Sequence, residues 1–459
     1  MNTIISVNPA NGETVGKTPI TTPEELNIVV ANARRAFPAW RSLPISRRVE
    51  YVKKLIPLIE KHAEEIALST TREMGKPIQE SRDEIAGELI FIKWYIDHAQ
   101  DALGETIIRQ DDTTIYKTVY EPWGVCASIA PWNFPTGLAS SGITAQLLAG
   151  NTVIFKPSEY TTITQKMFVD LFNQTGLPDG VLQCVVGAGN VGAALIDSDI
   201  DLVWFTGSTK VGQEIYKKCA DKFIKPVLEL GGSSPAIVFA DCDFHKTIEA
   251  IYTGRFYDCG QVCNAIKRVF VEKSIYEQFV SAMESKLKSV KVGDPMAGSD
   301  IGPLVSKKQL ELLVSQVEDS KKDGAIVVIG GERPTEKEYE KGNYYLPTLL
   351  TNINPGMRVF KEEVFGPVLS IIPFDDESGA IEMANNTPYG LTAGVFTRDL
   401  KKANRVASQL LAGGVAINMD FVFAPDCAIG GYKKSGLGRE YGLEGFRELA
   451  QLKYICVAK

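Results

Sequence analysis

Two thiols are the residues best placed to do chemistry. The stretch FYDCGQVCNAIKR, 256–268, sets Cys259 and Cys263 four positions apart. A structural zinc site takes about four ligands, commonly as two such pairs. No second pair accompanies this one, so the reading is no metal. On a helix the two thiols would share a face. A nucleophilic cysteine needs an environment that favours its thiolate. Gly260, Gln261 and Val262 read as a loop approaching a helix start, which would favour a thiolate at Cys263. Spacing alone does not choose Cys263 over Cys259, and plain burial of both is the third reading.

Other stretches could serve such a nucleophile. LELGG, 228–232, holds one carboxylate, Glu229, in an apolar, glycine-flanked run. If buried, it would have a raised pKa and could act as a general base. If satisfied by backbone donors, it is structural; the stretch leaves both readings open. FTGSTKVG, 205–212, reads as a strand running into Gly207 and Ser208 at a helix start, whose N–H groups suit a pyrophosphate. FKPSEY, 155–160, ends a neighbouring strand with Lys156 and Glu159. A carboxylate there could accept from both ribose hydroxyls and would repel a 2′-phosphate, which leans toward NAD over NADP. GAGNVG, 187–192, formally matches G-x-G-x-x-G, but Asp197, Asp199 and Asp201 come too early for the usual acidic partner. A tight strand–helix turn explains it equally well.

The elements that must carry these residues follow from pattern. Residues 23–103 read as helices, with Leu26, Val29, Val30, Ala33 and Phe37 on one face. A longer helical span opens at Ser46 as N-cap and stops near Gly75 and Pro77. From residue 124, short β-rich runs alternate with helical stretches: GVCASIA, TVIFKPS, VLQCVVG, LVWFTGS and PVLELGG. That alternation predicts βαβ units and a parallel sheet with ligands at the strands' carboxyl ends. A second α/β stretch runs from about 235 to 431. The segment 106–122 and the last residues, LAQLKYICVAK, read as exposed strands that could pair with another subunit.

Composition sets the outer limits. A chain of 459 residues exceeds one ordinary core, so more than one domain is expected. The net charge of −7, with Lys and Arg scattered, argues against nucleic acid. No run approaches the ~18 apolar residues of a membrane span. MNTIISVNPANGE lacks the pattern of a signal peptide, so a cytoplasmic protein with reduced thiols is expected. With only His62, His98 and His245, histidine-based metal or triad chemistry has little support.

Together the motifs resemble the NAD(P)-dependent aldehyde dehydrogenase superfamily, including its succinate-semialdehyde members. The matching stretches are APWNFP (130–135), FKPSE (155–159), FTGSTKVG (205–212), LELGG (228–232), GQVC (260–263), KEEVFGP (361–367), TPYGLTAGVFT (387–397) and GGYKKSGLGRE (430–440). They fall in the family's order over nearly the whole chain. The resemblance implies Cys263 as nucleophile, Asn133 and the Cys263 N–H as oxyanion donors, and Glu229 as the base that activates water against a thioester. It implies Glu440 as a further carboxylate at the site. For NAD, with NADP as the alternative, it implies Trp132, Lys156, Glu159, Gly207, Ser208, Val211, Glu363 and Phe365, and moves the pyrophosphate from GAGNVG to 207–212. The implied α/β architecture has a Rossmann-like NAD-binding domain (1–104 and 123–231), a catalytic domain (232–431) and oligomerisation strands (105–122 and 445–459). The implied partners are a small aldehyde and further copies of the chain, as homodimer or homotetramer, with no nucleic acid or membrane.

Three positions depart from the family pattern. Asp258 stands where Asn is common, AIGG (428–431) replaces PFGG, and Gly142 stands where many members carry a Lys. Short succinate-semialdehyde members also lack that Lys, which tilts the expected substrate toward a small semialdehyde. The competing readings are a CoA-acylating enzyme, which usually lacks the Glu of LELGG, another aldehyde such as lactaldehyde or betaine aldehyde, and an inactive binding relative. A reversible Cys259–Cys263 disulfide is a further expectation from spacing.

Overall fold

The structure, a computed structural model, describes residues 2–459, without the side chain of Leu138. Three sheets organise it, after an N-terminal hairpin of Thr3–Val7 and Thr14–Pro19. The first is six-stranded, in the order Gly436–Leu437, Lys225–Glu229, Leu202–Thr206, Val125–Ile129, Thr152–Lys156 and Leu182–Cys184. All pairs are parallel except the short strand Gly436–Leu437. Val125–Ile129 and Thr152–Lys156 are buried at every position, which is why they read as continuous apolar runs rather than alternating ones. Chain order reverses direction between Val125–Ile129 and Leu202–Thr206. Ligands of such sheets bind at that reversal, beyond the strands' carboxyl ends. All the stretches flagged around residues 130, 156, 207 and 229 lie there.

The second sheet has seven strands, centred on Ser234–Val238 and Ile266–Glu272, and is parallel except at Ile326–Ile329. The short strand Thr348–Thr351 escapes the sequence pattern, although Pro347 precedes it and Asn354, Pro355 and Gly356 follow it. The third sheet pairs Ala450–Ala458 with Thr114–Pro122, and the latter with Thr106–Gln110. The two segments read as exposed strands thus pair with each other. The strand begins only at Ala450, because 445–448 belongs to the helix Gly442–Glu448.

The helical layer departs from its expected boundaries. Ser46 is not an N-cap: the helix Ile45–Lys53 starts after Pro44 without a side-chain cap. A second helix, Leu55–Met74, follows at once. Pro57, which lacks an N–H, sits in its first turn and explains the break. The stop is as expected. Gly75 takes φ 89°, a left-handed C-cap that glycine adopts without penalty. Helix Ile78–Leu103 then runs beside Gly137–Leu148, the helix that follows the central strand. Among the described residues no helix is long and apolar enough to cross a membrane.

Candidate active site

Asn133, Glu229 and Cys263 approach one another from three directions. Asn133 follows the central strand Val125–Ile129, is buried, and its Nδ2 donates to the Gln261 carbonyl at 2.8 Å. Glu229 ends its strand, and its carbonyl accepts from Gly207 N at 3.0 Å. Cys263 comes from the other sheet, in a turn just before Ile266–Glu272. A Cβ on Gly232 would lie 2.5 Å from the Cys263 carbonyl oxygen. The glycine of LELGG is therefore what lets the Glu229 strand end touch the thiol loop.

The local reading of the two thiols needs correction. They share no helix face, and no helix starts at Cys263. Asp258, Cys259 and Gly260 take φ of 53°, 55° and 70°, three left-handed residues in succession. Two of these are not glycine, so the turn stores strain that its surroundings must hold. Arg255 donates to the carbonyls of Val364, Gly366 and Val368 beneath it. The Gln261 Oε1 accepts from Val305 N at 2.9 Å. Lys267 Nζ donates to the carbonyls of Val262 at 3.0 Å and Cys263 at 2.9 Å. Cys259 packs in the apolar core of the seven-stranded sheet, the burial reading, while Cys263 remains partly exposed.

The electrostatics separate thiol from base. Burial pushes the Cys263 thiol up to about 12, against the opposing pull of Lys267, so the resting group is a neutral thiol. The expected helix-start stabilisation of a thiolate is absent. Burial, then the Glu440 carboxylate, holds Glu229 well above the usual carboxylate range. Its Oε1 is buried and has no hydrogen-bond partner in the protein. That oxygen is not satisfied by the backbone donors that the structural reading of LELGG requires. Glu440 lies close enough for mutual repulsion. Its Oε1 accepts from the buried indole N–H of Trp204 and from the Thr206 hydroxyl.

The residues expected at a dinucleotide form a second group. Glu363 Oε1 accepts from Gly232 N at 2.9 Å and lies 3.7 Å from Lys267 Nζ. Trp132 stands edge-on to Phe365 at 5.4 Å. Lys156 Nζ is buried and donates to the Pro157 carbonyl at 2.9 Å, while Glu159 stays partly exposed. Ser208 caps the helix Thr209–Lys222, accepting from Val211 N at 3.4 Å, and Val211 itself is exposed. GAGNVG is the tight turn: Gly187 makes room for Val191, and a Cβ on Gly192 would touch Lys156 at 3.4 Å. The Glu159 carboxylate and the buried Lys156 at one strand end fit a ribose, and the serine-capped helix start fits a pyrophosphate.

These motifs have matching counterparts. The aldehyde dehydrogenase family profile matches residues 1–455. The chain belongs to the aldehyde dehydrogenase family. Its members are oxidoreductases acting on aldehydes. A betaine aldehyde dehydrogenase of Mesorhizobium japonicum is 36% identical over 453 residues, covering 98% of this chain and 93% of that protein. The NADP-dependent succinate-semialdehyde dehydrogenase of Escherichia coli is 34% identical over 454 residues, covering 98% and 93%. Among solved structures, a betaine aldehyde dehydrogenase of Staphylococcus aureus in complex with NAD+ superposes with a TM-score of 0.96 at 35% identity, covering 99% of this chain and 92% of that one. An NAD+ complex of a Bacillus cereus aldehyde dehydrogenase gives 0.96 at 37% identity, covering 100% and 93%.

Several residues around the proposed site escaped the sequence reading. Lys76 pairs with Glu84 at 2.7 Å, Arg255 braces the thiol loop and Trp204 meets Glu440, and none lies in a matching motif. Trp204 alone left a signal. A tryptophan inside the buried run LVWFTGS must find an acceptor for its N–H, and Glu440 is that acceptor.

Proposed function

We propose that this aldehyde dehydrogenase oxidises a small aldehyde to its carboxylate through a covalent thioester on Cys263. The observation that carries the reading is the unpartnered, buried Glu229 carboxyl at the thiol loop. Burial keeps the Cys263 thiol neutral, so its proton is released to solvent water at the partly exposed thiol before attack. The sulfur then bonds to the aldehyde carbon, and the oxyanion takes hydrogen bonds from the free N–H of the Asn133 amide and from the Cys263 backbone. Bound NAD supplies the hydride acceptor that turns this adduct into a thioester. Glu229 takes a proton from water, whose oxygen bonds to the thioester carbon as the Cys263 sulfur leaves. The presence of Glu229 supports hydrolysis over transfer to CoA.

For the cofactor, Trp132, Lys156, Glu159, Gly207, Ser208, Val211, Glu363 and Phe365 are the proposed holders. The Glu159 carboxylate at a strand end supports NAD over NADP. We assign the six-stranded sheet with its helices to NAD binding and the seven-stranded sheet to catalysis. The third sheet supports assembly: Ile107, Ile108, Leu452 and Tyr454 are 56%, 62%, 61% and 60% exposed, an apolar surface suited to a second copy in a dimer or tetramer.

The lean toward succinate semialdehyde rested on Gly142, and that support weakens. A Cβ on Gly142 would lie 2.6 Å from Trp204 Cζ3, so the glycine is accounted for by the ring rather than by the substrate. Betaine aldehyde therefore joins succinate semialdehyde as a candidate, as the activities named for the relatives suggest. NAD reduction across these two, lactaldehyde, glycolaldehyde and longer aliphatic aldehydes, with NAD or NADP and without CoA, tests the reading. Turnover with NAD and no CoA is expected. A strict requirement for CoA would overturn the role of Glu229, and silence throughout would favour an inactive relative.

A further inference from the structure

Asn133 and Cys263 are carried by different sheets. Asn133 follows the strand Val125–Ile129 of the first, and Cys263 precedes Ile266–Glu272 of the second. Neither sheet by itself fixes the gap between them. One direct tie joins the two segments, from Asn133 Nδ2 to the Gln261 carbonyl at 2.8 Å. The other N–H of that amide is the one proposed to meet the oxyanion, so the tie alone leaves the amide free to hinge.

A second tie passes through Lys76, between the helices Leu55–Met74 and Ile78–Leu103. Its side chain is fully buried. Its backbone is pinned by the left-handed Gly75 before it and by Ile78 N, which donates to the Pro295 carbonyl at 2.9 Å. Toward Asn133, Lys76 Nζ lies 2.7 Å from Glu84 Oε2 and 3.9 Å from the centre of the Phe134 ring. Glu84 Oε1 in turn accepts from Thr136 N at 2.9 Å, from the Thr136 hydroxyl and from Gly137 N at 3.1 Å, at the helix start just beyond Asn133. Toward Cys263, the same ammonium lies 3.8 Å from Asp258 Oδ2. The Asp258 carbonyl accepts from Gln261 N at 3.0 Å and from its Nε2 at 3.2 Å, so Asp258 holds the residue that Asn133 grips. Tyr257 and Phe134 stack at 6.4 Å between the two sides. A lysine suits this place, because a compact charge with three donors can meet two carboxyls and a ring face at once. The asparagine common at 258 would offer the ammonium no carboxyl on the thiol side.

We propose that Lys76 is a positioning residue for the attack on the aldehyde. Held from a third element, it ties the helix start after Asn133 to the turn beneath Cys263, and so sets the gap between oxyanion donor and nucleophile. This rests on the reading of Asn133 as an oxyanion donor. Misplacing reacting groups by about 1 Å can cost on the order of 10²-fold in rate. A tie between loops of two sheets therefore has direct leverage on the attack, without touching the substrate.

Single-turnover NADH formation, with enzyme in excess over aldehyde, reads the attack and hydride transfer and leaves hydrolysis out. Lys76→Met is expected to slow it about 10- to 100-fold. That variant also strands two buried carboxyls, so its partner in the test is Lys76→Met/Glu84→Gln/Asp258→Asn. This uncharged set is expected to regain stability, and its amide at 84 can still accept from Thr136 N. NADH formation should stay slow in it. Recovery of the rate along with the stability would mark a merely structural role and overturn the proposal. Alkylation of Cys263 by iodoacetamide without NAD needs no oxyanion donor and is expected to keep its wild-type rate. A matching loss there would place the damage in the thiol itself and overturn the proposal. Adding Asn133→Ala closes a double-mutant cycle. The uncharged set should cost less than about threefold in that background, because the donor it places is gone. An undiminished loss there overturns the proposal. Asn133→Ala alone separates the underlying reading: NADH formation as fast as in the wild type would defeat the oxyanion assignment, whatever Lys76 does.

Discussion

Lys76 with Glu84 and Asp258 forms one buried acidic group in this molecule, and Glu229 with Glu440 forms another. In the first, Lys76 Nζ lies 2.7 Å from Glu84 Oε2 and 3.8 Å from Asp258 Oδ2, with the Phe134 ring 3.9 Å beneath it. Glu84 Oε1 also accepts from Thr136 N at 2.9 Å and Gly137 N at 3.1 Å, at the start of the helix after Asn133. Glu80 accepts from Asp258 N at 3.0 Å, so the cluster grips the left-handed turn below Cys263. The second group has no ammonium. Its donors are an indole and a threonine hydroxyl. A carboxylate fixed by a cation is a strut, whereas one left with neutral donors can exchange protons. The difference supports the proposed division, with Glu229 and Glu440 left free for chemistry and Glu84 and Asp258 holding the loop below Cys263.

Substitutions that exchange the two behaviours test this contrast. Glu229→Gln removes the base and touches no strut. Its kcat is expected to fall about 10²- to 10⁴-fold in steady-state assays. Lys76→Met does the reverse. It leaves Glu84 and Asp258 buried without a cation and is expected to cost about 3–5 kcal/mol by chemical denaturation. A variant that folded as stably as the wild type would remove the distinction.

A smaller effect concerns pH. Burial pushes Glu440 to about 7, above its unfolded value near 4.5, so the folded chain keeps a proton that the unfolded chain has released. Its contribution to stability is full below about pH 4.5 and is lost as pH rises through 7. The wild type should therefore lose stability relative to Glu440→Gln between pH 5 and 8, by on the order of 1–3 kcal/mol, as read from paired urea titrations. An equal slope in both proteins would show that the pair is not set apart as described. The smallest effect is the surface control. Arg405 and Glu377 form an exposed pair at 2.8 Å, and Arg405→Ala should cost no more than about 1 kcal/mol.

What the sequence revealed follows the same division. Most strands of the two larger sheets showed as β-rich runs because burial on both faces removes polar residues from them. Glu229 and the glycines beside it were visible for the same reason, as a charge where none is usual. The strut was invisible. Lys76 sits before Pro77 at a helix boundary and is 182 residues from Asp258, and no local pattern links them. The geometry at Cys259 was misread because GQVC resembles a loop into a helix. The left-handed turn there is held by Arg255 binding the carbonyls of Val364 and Val368, distant in the chain, with Lys267 binding those of Val262 and Cys263 beside it. Gly142 drew notice only as a missing lysine. Its meaning needed Trp204, 62 positions later, which only the packed strand and helix bring together.

Intact-protein mass spectrometry of Glu229→Gln mixed with NAD and a turned-over aldehyde tests the central claim most directly. The account predicts one acyl group per chain, located on Cys263, absent in the Glu229→Gln/Cys263→Ala double variant and retained when Cys259→Ser is added instead. No adduct, or an adduct on Cys259, would contradict covalent catalysis at Cys263 with Glu229 as the base that releases it.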